Sequence, residues 1–153
     1  MFKKQAIYFI FLILFLSCKT DKNIIKENKQ KNSGLTNCSS NGCIISGTIL
    51  FIYPILDTID SLSPCSKVPC NAKIKIERVL EYGNRLSSNI YEGLEINIHF
   101  VFTLCPTTND LFPDIKKHFP GLKINDKFNA NLEERLQLNN DTIQWLVYDY
   151  VKL

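Results

Sequence analysis

The chain has 153 residues, with 18 Lys and Arg against 15 Asp and Glu for a formal charge of +3, and 45% of its residues are hydrophobic. Such a length accommodates one small core and excludes two independent ones. The charge is uneven: residues 19–32 carry five lysines against Asp21 and Glu27, whereas from residue 33 onward eleven basic residues face thirteen acidic ones. The folded part has no basic surplus with which to neutralise phosphates, so nucleic acid is excluded as the expected partner.

The first residues run from Lys3 and Lys4 through an unbroken apolar stretch, Ala6 to Leu16, to Ser17 and Cys18. This charged, apolar, small-residue order is that of a secretory signal peptide over residues 1–17. Eleven apolar residues cover roughly 17 Å as a helix, against about 30 Å of hydrocarbon, so the run is too short to span a membrane. A buried core helix fits poorly as well, because the segment has no polar face. Phe15-Leu16-Ser17-Cys18 resembles the lipobox of bacterial lipoproteins. The resemblance implies that the Cys18 thiol receives a diacylglycerol and that Cys18 becomes the first residue of the mature chain. Two or three acyl chains hold a protein on a bilayer where one does not, since each buried methylene contributes about 0.8 kcal/mol. The resemblance also implies a destination in the bacterial cell envelope. Lys19 is not the aspartate that retains such proteins at an inner membrane, and Lys19 with Asp21 resembles signals for an outer-membrane, surface-exposed location.

Residues 18–37 read as a lipidated tether. Lys, Asn, Gln and Glu dominate, only Ile24, Ile25 and Leu35 are apolar, and disorder is expected. The cationic stretch suits anionic head groups.

Residues 38–153 read as the folded domain. Residues 43–53, rich in Ile, Thr and Phe, predict a first strand. A second follows at Ala72, Ile74 and Ile76, and its phase slips at Arg78 so that Val79 takes the apolar side, which predicts a β-bulge. The strongest signal comes third. Leu94, Ile96, Ile98, Phe100, Phe102 and Leu104 alternate with mostly polar residues after the turn residue Gly93. In residues 109–119, Leu111, Phe112, Ile115 and Phe119 recur at helical spacing, with Asp114 early and Lys116, Lys117 and His118 late, which predicts a short helix. Residues 127–133 alternate Phe128, Ala130 and Leu132 inward. The last strand, residues 142–151, places Trp145 and Val147 on one face and Leu146, Tyr148 and Tyr150 on the other.

Five strands with one helix after the third resemble the OB-fold and, given cysteines in an exported chain, the related netrin-like domains that include metalloprotease inhibitors. The expected class is mainly β: a five-stranded OB-like barrel with one short helix, with a Greek-key β-sandwich as the alternative.

Chemistry-bearing motifs are sparse. The segment from Gly42 to Thr48 has P-loop glycine spacing but lacks the lysine and enters a strand; a Gly-x-Ser-x-Gly elbow and a His-Glu-x-x-His helix are absent. His99 sits on the polar face of the third strand, and His118 falls where an imidazole complements a helix dipole. Glu133-Glu134-Arg135 reads as a solvated charged run. No catalytic residue, cofactor or metal site is expected. Trp145, Tyr148 and Tyr150 form a possible binding surface, with core packing as the competing role.

Export to an oxidising space makes Cys38, Cys43, Cys65, Cys70 and Cys105 disulfide candidates, an odd set that leaves at least one thiol over. Cys65 and Cys70 share a Pro- and Ser-rich loop; Cys38 and Cys43 have the same spacing, and Cys43 has Cys105 as an alternative partner. The expected role is a membrane-anchored extracytoplasmic domain that binds a protein or saccharide ligand, or supports an envelope assembly. A netrin-like protease inhibitor is the alternative, and a hydrolase requires His99 or His118 beside Ser or Asp.

Overall fold

The computed structural model describes residue 35 and residues 38–54, 60–137 and 142–153. The segments expected as signal peptide and tether, with Cys18, lie outside the described residues apart from Leu35. Alternating apolar residues build five strands: β1 (Gly42–Ile52), β2 (Asn71–Tyr82), β3 (Glu95–Phe100), β4 (Lys127–Gln137) and β5 (Thr142–Lys152). They close into a barrel in the order β1-β2-β3-β5-β4, all neighbours antiparallel except the parallel pair β3 and β5. This is the OB-like barrel. Closure pairs strand edges that would otherwise face other chains.

The phase slip at Arg78 is a bulge. Ser46 pairs with Arg78 and Gly47 with Ile76, which leaves Glu77 over; a second slip leaves Leu80 unmatched opposite Ile44 and Ile45. Ala72, Ile74 and Ile76 point inward, and past the bulge Val79 packs against the core. Gly93 takes φ +88° in the turn that enters β3, a conformation that suits glycine.

Two expectations need correction. The third strand ends at Phe100, because Val101 and Phe102 turn away and the buried Thr103 adopts φ +65°. Residues 109–119 form successive turns rather than a helix. Leu111 and Phe112 both donate to the Thr108 carbonyl (3.1 and 2.9 Å), and Ile115 then donates to Phe112 (3.3 Å). Pro113 stops propagation: it lacks an N–H, its ring clashes with the carbonyl four residues back, and it pushes Phe112 out of the helical region. The only helical element among the described residues is a 3-10 turn, Pro64–Ser66, capped by the Ser63 hydroxyl on the Cys65 N–H.

The turns of this β3–β4 connection plug one end of the barrel. Phe119 stacks on Tyr150 at 4.8 Å and on Phe102 at 5.5 Å, and Phe100 meets Tyr150 edge-on at 5.7 Å. Gly121, at φ +77°, donates its N–H to the Tyr150 hydroxyl (3.0 Å); a Cβ there would lie 2.7 Å from the Pro106 nitrogen. The positive φ and the close approach of two segments within the plug therefore require glycine at 121.

Candidate functional site

A cleft of about 350 Å³ lies on the outer face of the barrel, lined by Tyr53, Asn71, Asn97, Ile98, His99, Gln137, Ile143 and Gln144. The volume falls in the range of small-ligand sites. Its position follows from strand register. Asn71 pairs with His99 and Lys73 with Asn97 across β2 and β3, so the outward positions form one wall. Gln137 at the end of β4, with Ile143 and Gln144 at the start of β5, forms the other. Tyr53 reaches the first wall because its N–H donates to the Asn71 carbonyl (3.0 Å) as β1 ends.

The described lining is dominated by hydrogen-bonding side chains, four of them carboxamides. Tyr53 donates its hydroxyl proton to Asn97 Oδ1 (2.8 Å), which leaves the donor face of that carboxamide for a ligand. His99 Nδ1 bonds Asn71 Oδ1 (2.9 Å). On the far wall Gln137 Nε2 donates to Gln144 Oε1 (3.2 Å) and Thr142 Oγ1 to Gln137 Oε1 (3.1 Å). Each carboxamide carries both donors and acceptors. No carboxylate, thiol, serine or lysine is among the described lining residues. Beside the cleft, Lys73 and Glu95 cancel each other as an exposed ion pair at 2.6 Å. Ile143, 45% exposed, adds an apolar contact to this polar lining.

The aromatic residues of β5 are divided by a bulge. Asn131 pairs with Asp149 and Leu132 with Val147, so Tyr148 is left over and the inward phase passes from Val147 to Tyr150. Trp145 and Tyr150 are consequently core residues rather than a binding surface, and Tyr150 shares the interior with Trp145 instead of lying opposite to it. Tyr148 is 37% exposed. Burial pushes the Tyr150 phenol up to about 12.

Cys65 and Cys70 form a disulfide, with Cα atoms 5.5 Å apart, that closes the loop entering β2. It bears on the cleft indirectly, since the Cys70 carbonyl accepts from Phe100 N–H (2.8 Å) one residue beyond His99. Cys38, Cys43 and Cys105 are free thiols. The Cys43–Cys105 pairing does not form: Cys43 pairs with Tyr82 at the end of β2, whereas Cys105 follows β3, whose end lies beside the start of β2. An antiparallel pair of strands thus sends the two cysteines to opposite ends of the barrel. Cys43 is fully buried, and burial, with Cys38 nearby, pushes its thiol up to about 12. Burial likewise raises Cys38, whose thiol donates to the Ser39 carbonyl (3.2 Å).

Of the two histidines, His99 enters the cleft and His118 is exposed on the turns of the plug. Glu134, read as part of a solvated run, is engaged. Its partial burial opposes ionisation, yet hydrogen bonds from the Ser87 and Ser88 main chain and the Ser87 hydroxyl outweigh it and lower its pKa. Tyr53, Asn71, Asn97, Gln137, Ile143 and Gln144 were not singled out from the sequence. Their only sequence signature is an outward position near a strand end. No family model matches the chain, nor does any curated protein or solved structure.

Proposed function

We propose that this chain is a lipid-anchored, extracytoplasmic binding domain of the bacterial cell envelope, attached to the outer membrane through acylated Cys18, with the carboxamide-lined cleft as its binding site. The observation that carries the binding role is the concentration of Asn71, Asn97, Gln137 and Gln144 around one cleft between β3 and β5. OB-fold barrels bind ligands on the face of strands 2 and 3 flanked by the loops joining strands 1 to 2 and 4 to 5, and Tyr53, Asn71 and Gln137 stand where those loops begin or end. The Ser17-Cys18 junction after a short apolar run supports the anchor.

The alternatives have less support. A hydrolase requires His99 or His118 beside Ser or Asp, and His118 is exposed on the turns of the plug, outside the described cleft lining. A netrin-like inhibitor presents an N-terminal cysteine to an enzyme cleft, whereas acylation at Cys18 engages the mature N-terminus with lipid.

Nuclear magnetic resonance of the full chain in detergent, titrated with a set of neutral polar fragments, tests the cleft. Side-chain amide signals of Asn71, Asn97, Gln137 and Gln144 are expected to shift together, and Gln144→Trp, which fills the cleft, to abolish the response. Fragment binding confined to another face would overturn the assignment. Because no carboxylate or lysine is among the described lining residues, affinity should change little between low and high salt.

A further inference from the structure

We infer that the occupant of the cleft is an extended, uncharged polypeptide segment whose main chain pairs with unmatched edges of β3 and β5. The inference rests on the cleft being the binding site and names what fills it.

Among the described residues, the β3–β5 seam of the closed barrel is paired over a short stretch only. Parallel β3 and β5 share only Ile98–Trp145, His99–Leu146 and Phe100–Val147, although β3 begins at Glu95 and β5 at Thr142. Continuing that register would join Asn97 to Gln144, Ile96 to Ile143 and Glu95 to Thr142, and none of these pairs is in the ladder. The strands therefore diverge from an apex at Ile98 and Trp145, and the cleft, lined by Asn97, Ile98, Ile143 and Gln144, is the opening of that wedge.

The main-chain groups that face the wedge follow from bonds already made. Ile76 N–H donates to the Leu94 carbonyl (2.9 Å) and Phe100 N–H to the Cys70 carbonyl (2.8 Å), so even-numbered residues of β3 face β2. Val101 N–H donates to the Val147 carbonyl (3.0 Å), so odd-numbered ones face β5. Glu95 and Asn97 consequently turn toward the wedge. In a parallel ladder the Ile98–Trp145 pair engages the Asn97 carbonyl, which leaves the Asn97 N–H and both main-chain groups of Glu95 beyond the last rung. The same parity, counted back from Val147, turns the main chain of Ile143 into the wedge from the β5 side. Unpaired strand edges are templates for another strand.

The wedge matches a peptide better than a sugar. A peptide repeats one donor and one acceptor along a line, as the β3 edge does, and at about 3.4 Å per residue the edge from Glu95 to Asn97 accommodates three or four residues. The carboxamides on the two walls carry the same donor-acceptor pairs as a peptide group. Half-exposed Ile143 accommodates an apolar side chain, and no carboxylate or lysine is among the described lining residues to pair with a charged one. The Tyr53 ring is held edge-on to Phe51 at 5.1 Å, and its hydroxyl is committed to Asn97.

The test pans a displayed library of random heptapeptides against the immobilised full chain in detergent, and titrates an N-acetylglucosamine tetramer in parallel. Enriched peptides should be uncharged and rich in β-branched residues. On saturation, hydrogen exchange at the Glu95, Asn97 and Ile143 amides should slow by about tenfold or more. N-methylation of alternate peptide residues should weaken binding about tenfold in one parity and little in the other, since only one parity points its N–H groups at the edge. Asn97→Pro, which removes the wedge-facing N–H outside the ladder, should weaken binding more than Asn97→Ala, with folding of both checked by circular dichroism. Peptides that shift the cleft side chains without slowing those three amides, or that lose affinity equally in both parities, would overturn strand pairing and leave the cleft as the site. A tetramer that shifts the cleft while the library yields nothing would overturn the peptide and retain the cleft. Failure of both probes to perturb any cleft residue would overturn both readings.

Discussion

At the residue scale, two buried titratable groups among the described residues, the Cys43 thiol and the Tyr150 phenol, both favour the proton. Folded Cys43 holds its proton to about 12 where an ordinary thiol loses it near 9. The unfolded chain therefore ionises first as the solution becomes alkaline, and the stability that Cys43 contributes is complete below about pH 9 and lost progressively as pH rises toward 12. Tyr150, raised from 10.0 to about 12, adds to the same loss over the upper part of that window. Chemical denaturation as a function of pH should show a falling alkaline limb, and Cys43→Ala should flatten its lower part. Tyr150→Phe also removes the acceptor for Gly121 N–H, 3.0 Å away, at a cost of about 1 kcal/mol at neutral pH. Gly121→Ala should be worse than either, because its Cβ would meet Pro106 in a left-handed backbone; a loss of about 1–3 kcal/mol in the denaturation midpoint is expected.

At the scale of elements, the loop entering β2 and the β3–β4 connection differ in what holds them. Cys65 and Cys70 close a short loop, and in the chain-entropy model so short a closure is worth about 2 kcal/mol. Replacing both by Ser should lower stability by about that amount and leave the fold intact. Mass spectrometry of the native, non-reduced chain should find these two blocked to alkylation and Cys38, Cys43 and Cys105 reactive once the protein is unfolded. The β3–β4 plug is held instead by aromatic packing around Phe119 and by the reciprocal bonds of Thr107 and Phe119, 2.8 and 3.1 Å. Phe119→Ala should therefore cost about 3–5 kcal/mol, as truncation of a buried aromatic does, and its thermal melt would report it.

For the whole molecule, composition separates the barrel from the residues before it. Residues 19–33 carry little apolar surface, so a chain trimmed to residue 34 should melt within a degree or two of the longer one. A drop of many degrees would mean that Ile24 or Ile25 packs on the barrel. Metabolic labelling with an alkyne fatty acid should mark the chain, and Cys18→Ala should abolish the label; retention of label would remove the anchor from the proposal. The barrel was legible in the sequence because half-burial imposes a period of two, and the apolar residues at Ala72, Ile74, Ile76, Ile96, Ile98, Phe100, Phe128, Ala130 and Leu132 keep it without tertiary help. The bulge near Arg78 was legible for the same reason, as a slip in that period, and the Cys65–Cys70 pair because a short loop limits the choice of partner. Local pattern misled where chain direction outweighed it. Helical spacing in residues 109–119 lost to Pro113, and the facing of Tyr150 changed at an unmatched Tyr148 that only pairing with β4 reveals. The cleft belongs wholly to the tertiary structure: its lining comes from four strands and the end of β1, and its wedge exists because two parallel strands far apart in sequence pair over three residues and then diverge. Sequence by itself determines which residues are buried where the period of two runs unbroken, since burial there is set by local alternation; where a bulge or turn resets the phase, and which outward residues become neighbours, depends on barrel closure, a long-range event that no local period encodes.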